Sequence, residues 1–383
     1  MSFFAALLAL APYAQNAPVA APLNAFSYDL MAHIPAAKDQ NVFASPFSVG
    51  SCLALLLPGV GTNDRAALTK ALHLAKAQNP EQQLAALTEQ VQDAPGQGLQ
   101  VADSVWTVPG VALKPAYKQA VQTQFHAAAT ELKGIGDLGA AQINLWVSDH
   151  TQGRINRLVD KVTKCDRVIL VNAVVFDGTW DSQFALSQTK DLDFHAPQGT
   201  VKVPTMHQTH SFAYAELGPT QVLDLPYTTD YDMVIFLPEK GDDPLKALLS
   251  ANTQQILDLR SHGDRARVDL LLPKFRFSTR YDLTPTLAKL GLGRLTNHLD
   301  ASKMLEEKQP VAITQVVHAA YVEVDEKGTK AAAATGVRVG ITAIPYQPKV
   351  VEFHVDRPFA FQIVSRKTGA ILFLGAVYDP SKP

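Results

Sequence analysis

His318-Ala-Ala-Tyr-Val-Glu-Val-Asp-Glu-Lys-Gly-Thr-Lys-Ala-Ala-Ala-Ala-Thr-Gly-Val-Arg-Val-Gly-Ile-Thr-Ala-Ile-Pro345 is the stretch whose reading decides the fold. Up to Asp325 it reads as a strand, with Tyr321, Val322 and Val324 as bulky β-formers. Glu326, Lys327 and Gly328 break that strand as a turn does. From Thr329 to Ile341 every second residue is Thr, Ala, Ala, Thr, Val, Val or Ile, and the alternate positions are small or charged. A period of two is the pattern of a strand with one buried face. Thirteen such residues would span roughly 43 Å at about 3.3 Å each, long for a strand. Its first half is nearly all Ala, a poor strand former. Composition alone also allows a Gly/Ala-rich linker, or a short helix through Ala331 to Ala334.

Outward from this stretch, three motifs point the same way. Glu323-Val-Asp-Glu-Lys-Gly-Thr-Lys-Ala-Ala-Ala-Ala-Thr335 resembles the hinge of the reactive-centre loop of serpins. Phe353-His-Val-Asp-Arg-Pro-Phe-Ala-Phe361 resembles the strand after that loop, and Thr368-Gly-Ala-Ile-Leu-Phe-Leu-Gly375 the family's C-terminus. The resemblance covers about residues 22 to 380. It implies a mixed α/β serpin fold of three β-sheets and eight or nine helices, one domain over 22–383. The reactive-centre loop would be exposed over about 326–348. Glu326, Gly328, Thr329, Ala331, Ala332, Ala333 and Ala334 would form the hinge.

Earlier in the chain, Asn41-Val-Phe-Ala-Ser-Pro-Phe-Ser48 is similar to the serpin segment in which a short strand enters a buried helix. Val168 to Phe176 is a nearly continuous apolar run, as in a strand covered on both faces. By the resemblance, Ser45, Ser48, Asn172 and His318 would gather in a polar cluster beneath the central sheet. Trp180 would stand where the loop first inserts. Helices are expected over 23–36, 65–74, 80–92 and 141–158, and a strand over 99–108. The helix at 141–158 would overlie the sheet.

Other chemistries are poorly supported. Ser48 lacks the Gly-x-Ser-x-Gly elbow of a hydrolase nucleophile. Pro58-Gly-Val-Gly-Thr62 lacks the Gly-Lys-Ser/Thr ending of a phosphate loop. His195, His207 and His210 invite a metal hypothesis, yet a strand would place 207 and 210 on opposite faces and no acidic or thiol residue completes the set. No metal and no cofactor are therefore expected. Cys52 and Cys165 suggest no disulfide framework. A net charge of −2 argues against nucleic acid as partner, and the helices at 65–74 and 80–92 are too poor in basic residues for a polyanion site. Residues 1–14 are apolar but too short to span a membrane. Read as a secretory signal cleaved before about residue 21, they imply a secreted or periplasmic protein; read as a plain extension, a cytoplasmic one.

The resemblance implies a monomer whose partner is a serine protease, held covalently after it cuts the loop. The cut loop would insert as a new strand of the large sheet. Counting the family's fourteen residues on from Gly328 places the reactive bond at Thr342–Ala343, suited to elastase- or subtilisin-like enzymes. Arg338–Val339 is the alternative, suited to trypsin-like ones. The other readings are an inhibitor of trypsin-like or cysteine proteases, or a non-inhibitory carrier, chaperone or storage serpin.

Overall fold

The computed structural model describes residues 18–37, 39–92, 98–251, 256, 259, 265–307, 311–329 and 350–382. The hinge alanines Ala331 to Ala334, both expected reactive bonds and the apolar N-terminus lie outside the described residues.

The helices that matter for the site are α1 (Ala20–His33), α2 (Pro46–Ala54), α3 (Thr62–Ala71), α4 (Pro80–Val91), α5 (Pro115–Phe125) and α6 (Asp137–His150). Helix α2 starts where Pro46 presets the first turn and the Ser45 side chain accepts a hydrogen bond from Ser48 N. All nine of its residues are buried, as its apolar, small-residue composition requires. Helix α6 stops earlier than its sequence suggests. Gln152 and Gly153 take positive φ angles (54° and 76°), so the chain turns away at 150 rather than running to 158.

The strands are β1 (Val42–Ala44), β2 (Gly98–Thr107), β3 (Ala128–Glu131), β4 (Val168–Thr179), β5 (Lys190–Ala196), β6 (Gly199–Leu217), β7 (Thr220–Pro226), β8 (Tyr231–Leu237), β9 (Arg265–Pro273), β10 (Phe275–Asp282), β11 (Ile313–Asp325), β12 (Gly328–Thr329), β13 (Val350–His354), β14 (Phe359–Ser365) and β15 (Ile371–Val377). One sheet runs β10-β11-β12-β4-β2-β3, and β11 also pairs directly with β4. The other runs β1-β15-β14-β8-β7-β6-β9-β13, with β5 added on β6. The three expected sheets are thus connected as two, because the nineteen-residue β6 runs through two of them. Its first part pairs with β5 and β9, and its end pairs with β7.

Strand β4 is buried over eleven of its twelve positions, which explains its unbroken apolar run. Beneath it lies α2, sandwiched between the six-stranded sheet and β15. Above the sheet, Trp146 of α6 meets Trp106 of β2 edge to face at 6.0 Å. The six-stranded sheet is therefore covered by α2 at β4 and β2, and by α6 at β2.

Candidate functional site

The site is the seam where β4 and β11 meet. They run parallel and pair from Ile313↔Val168 to Tyr321↔Val175. Beyond Tyr321 they part, and the gap holds the two residues of β12. Thr329 faces Gly178 on one side and Val324 on the other; Gly328 faces Thr179 and Asp325. Gly328 and Thr329, expected to belong to the hinge, are thus already paired into the sheet. The resemblance implied a loop exposed from about residue 326, whereas these two residues lie in the sheet and below β12 the two strands are zipped together.

Local chemistry explains the wedge. Gly328 has φ +149°, and a Cβ there would fall 1.9 Å from the Gly178 carbonyl oxygen, so only glycine fits. The Asp325 carboxylate accepts from the backbone N–H groups of Lys327 and Gly328, closing the turn. The Thr329 side chain points inward, with its hydroxyl 2.7 Å from the Tyr227 hydroxyl. Trp180 stacks on Tyr227 at 4.4 Å and donates its indole N–H to the Asp325 carbonyl. Trp180 N also donates to the Lys327 carbonyl. Glu326 is buried, bonded to Thr189 at 2.7 Å and paired with Lys274 at 2.8 Å. Burial alone would raise its carboxyl pKa, but Lys274 and Thr189 outweigh that and hold it below the usual glutamate value.

Lower in the seam lies the polar cluster. His318 on β11 and Asn172 on β4 are register partners, and the ring Nδ1 lies 2.5 Å from Asn172 Oδ1. Ser45 N–H donates to His318 Nε2 at 3.1 Å, and Asn172 Nδ2 donates to Ser48 Oγ. The four residues singled out in the sequence are therefore brought together, all buried. A fifth was missed. Asp103 on β2, the register partner of Asn172, accepts from Asn172 Nδ2 at 2.5 Å. Burial pushes its carboxyl up to about 7, against the lowering effect of its bonds to Asn172 and Ser51. The signal was a lone charge in the apolar run Val101-Ala102-Asp103-Ser104-Val105.

The histidine hypothesis resolves differently. His207 Nε2 lies 2.8 Å from Asp269 Oδ1, and His354 Nε2 lies 3.0 Å from Asp269 Oδ2, so the acidic partner sits on a neighbouring strand. His195 meets Thr200 instead, and His210 lies against Phe212. Among the described residues no three such side chains converge as a metal-binding group. Ser48 is fully buried and hydrogen-bonded, with no access for a substrate. Cys52 and Cys165 are both free thiols.

The serpin description, serine protease inhibitor, matches residues 21–380. A serpin-like protein of Thermococcus kodakarensis is 34% identical, over 96% of this chain and 87% of its own. The leukocyte elastase inhibitor of Sus scrofa is 32% identical, over 89% and 93%. Among solved structures, the thermophilic serpin tengpin in its native state aligns with a TM-score of 0.84 at 24% identity, covering 94% of each chain. Human thyroxine-binding globulin with its hormone aligns at 0.83 and 23%, covering 96% of this chain and 99% of that one. With the family match spanning nearly its whole length, the chain belongs to the serpin family.

Proposed function

We propose that the protein is a suicide-substrate inhibitor of serine proteases, with an elastase- or subtilisin-like target. The observation that carries this reading is the register of β12. Each step along the loop from Thr329 moves one step back along β4 and one back along β11. Six residues on, Thr335 comes level with Asn172, six before Gly178, and with His318, six before Val324. Both flanks give the same residue, and it belongs to the inward-facing small set. A strand entering this way would break the His318–Asn172 bond and set a hydroxyl between the two groups it parts. Each β4–β11 pair lost would be replaced by two, and the inward side chains carry no charge whose desolvation would oppose entry.

The chemistry required of the loop is modest. The protease serine oxygen would add to the Thr342 carbonyl, the Thr342–Ala343 amide bond would break, and Ala343 would leave as the protonated amine. Thr342 would remain as an ester on the protease. Insertion then would carry the acylated protease along the sheet before water hydrolyses the ester. The likeness to the porcine leukocyte elastase inhibitor supports the small-pocket target class. Incubation with an elastase-like enzyme should leave an SDS-resistant complex, and the released fragment should begin at Ala343. Quantitative cleavage with no trapped complex would favour a non-inhibitory role.

A further inference from the structure

The polar cluster holds two buried titratable groups, and the function just proposed uses neither as an acid or a base. Asp103, Asn172 and His318 stand in one row across three neighbouring strands, β2, β4 and β11. Asn172 bridges the other two: its amide N–H reaches Asp103 Oδ1 and its amide oxygen faces His318 Nδ1. The backbone N–H of Ser45 can only donate, so His318 Nε2 carries a lone pair and the ring is neutral with its proton on Nδ1. The groups facing this row from the packed elements are Cys52 on α2, with Tyr117 of α5 beside it, and Tyr281 of β10, stacked on His318 at 6.4 Å. None of these is a cation that would hold Asp103 ionised.

We propose that Asp103 and His318 form a proton-compensated couple across Asn172. Together they keep one proton in the closed seam, as they do when the chain is unfolded, so acidity between about 4 and 6.5 leaves the seam's strength level. In the closed seam that proton resides on Asp103; in water it resides on the imidazole.

The linkage follows from opposite shifts. Burial raises Asp103 to about 7, so its contribution to stability is full below about 3.9 and is lost as pH rises through 7. Burial lowers His318 to about 3, so its contribution is full above about 6.5 and is lost as pH falls through 3. Between about pH 4.5 and 6 the two slopes have opposite sign and nearly equal size. Either group alone would make the seam strongly pH-dependent.

The test is the pH profile of the unfolding constant, taken from denaturant titrations of the uncut chain between pH 4 and 6.5. Differences from wild type cancel every other titrating group. Asp103→Asn leaves His318 uncompensated, so its stability relative to wild type should fall about tenfold per unit as pH drops. His318→Gln should show the reverse, a tenfold fall per unit as pH rises, and the double variant should run parallel to wild type. Single variants that run parallel to wild type would overturn the couple. Should either variant fail to fold, ¹⁵N spectra of the wild-type imidazole at pH 5.5 decide: a neutral Nδ1–H ring supports the couple, and an imidazolium refutes it. These profiles stand apart from protease trapping, so the two readings can fail separately. If trapping holds, the couple also keeps strand insertion level across that pH range.

Discussion

The top of the β4–β11 seam and its middle are a few residues apart, yet they are built on different principles. At the top, the two strands are already parted and the gap is filled by Gly328 and Thr329. The contacts there are separate ones: an ion pair to Glu326, an indole N–H to a carbonyl, a buried hydroxyl pair. In the middle, the strands are zipped and their side chains share one buried network, with donors and acceptors matched from Ser45 through His318 and Asn172 to Asp103. On the proposed function, starting the new strand would require little, since Gly328 and Thr329 are already paired, and continuing it would require breaking the His318–Asn172 bond.

The largest test of this contrast is Thr335→Arg. A guanidinium delivered between Asn172 and His318 would have to be buried beside a closed network whose one carboxyl, Asp103, is already bonded to Asn172 and held up to about 7, so strand entry should stop above the cluster. Covalent complex should drop to about a tenth of wild type or less while cleavage continues. Unchanged trapping on gels would show that the register read from β12 is wrong. Next comes His318→Ala, which leaves Asn172 Oδ1 and Ser45 N–H unpaired in a closed interior. A loss of about 2–4 kcal/mol in unfolding free energy is expected, read from a lower denaturant midpoint.

Gly328→Ala acts only at the top. The added methyl meets the Gly178 backbone, so β12 should leave the gap at a cost of about 1–3 kcal/mol. Trp180 emission should change with it, because its indole donates to the Asp325 carbonyl beside the wedge. The middle of the seam should stay closed, seen as unchanged amide exchange in β4 below Val175. Smallest is Glu326→Gln, worth about 1 kcal/mol or less for a pair that is partly exposed on the Lys274 side. The Glu326 carboxyl is held below its ordinary value, so its contribution is present above about 4.3 and fades as pH falls. Melting curves of Glu326→Gln between pH 6 and 3 should accordingly lose less stability than wild type.

The parts of this seam that were legible in the sequence are those carried by local patterns. The continuous apolar run of β4 and the Ser45-Pro46 start of α2 each depend on neighbours in the chain. What the sequence concealed depends on register between distant strands. Asp103 joins the cluster only because β2 pairs with β4 one level from β11. Lys274 finds Glu326, and Asp269 finds both His207 and His354, only after the strands are set side by side. The joining of two expected sheets by β6 likewise reflects one long strand whose two parts have different partners. The two-residue wedge was hidden for another reason. It reflects where a closed sheet ends, and period-two patterning cannot report how far a strand has entered.

The most direct measurement compares the thermal melting of the intact protein with that of protein nicked within residues 338–343. If the severed segment fills the seam from β12 downward, the nicked form should melt at a distinctly higher temperature and resist denaturant that unfolds the intact chain. A nicked form that melts at or below the intact one would contradict the account.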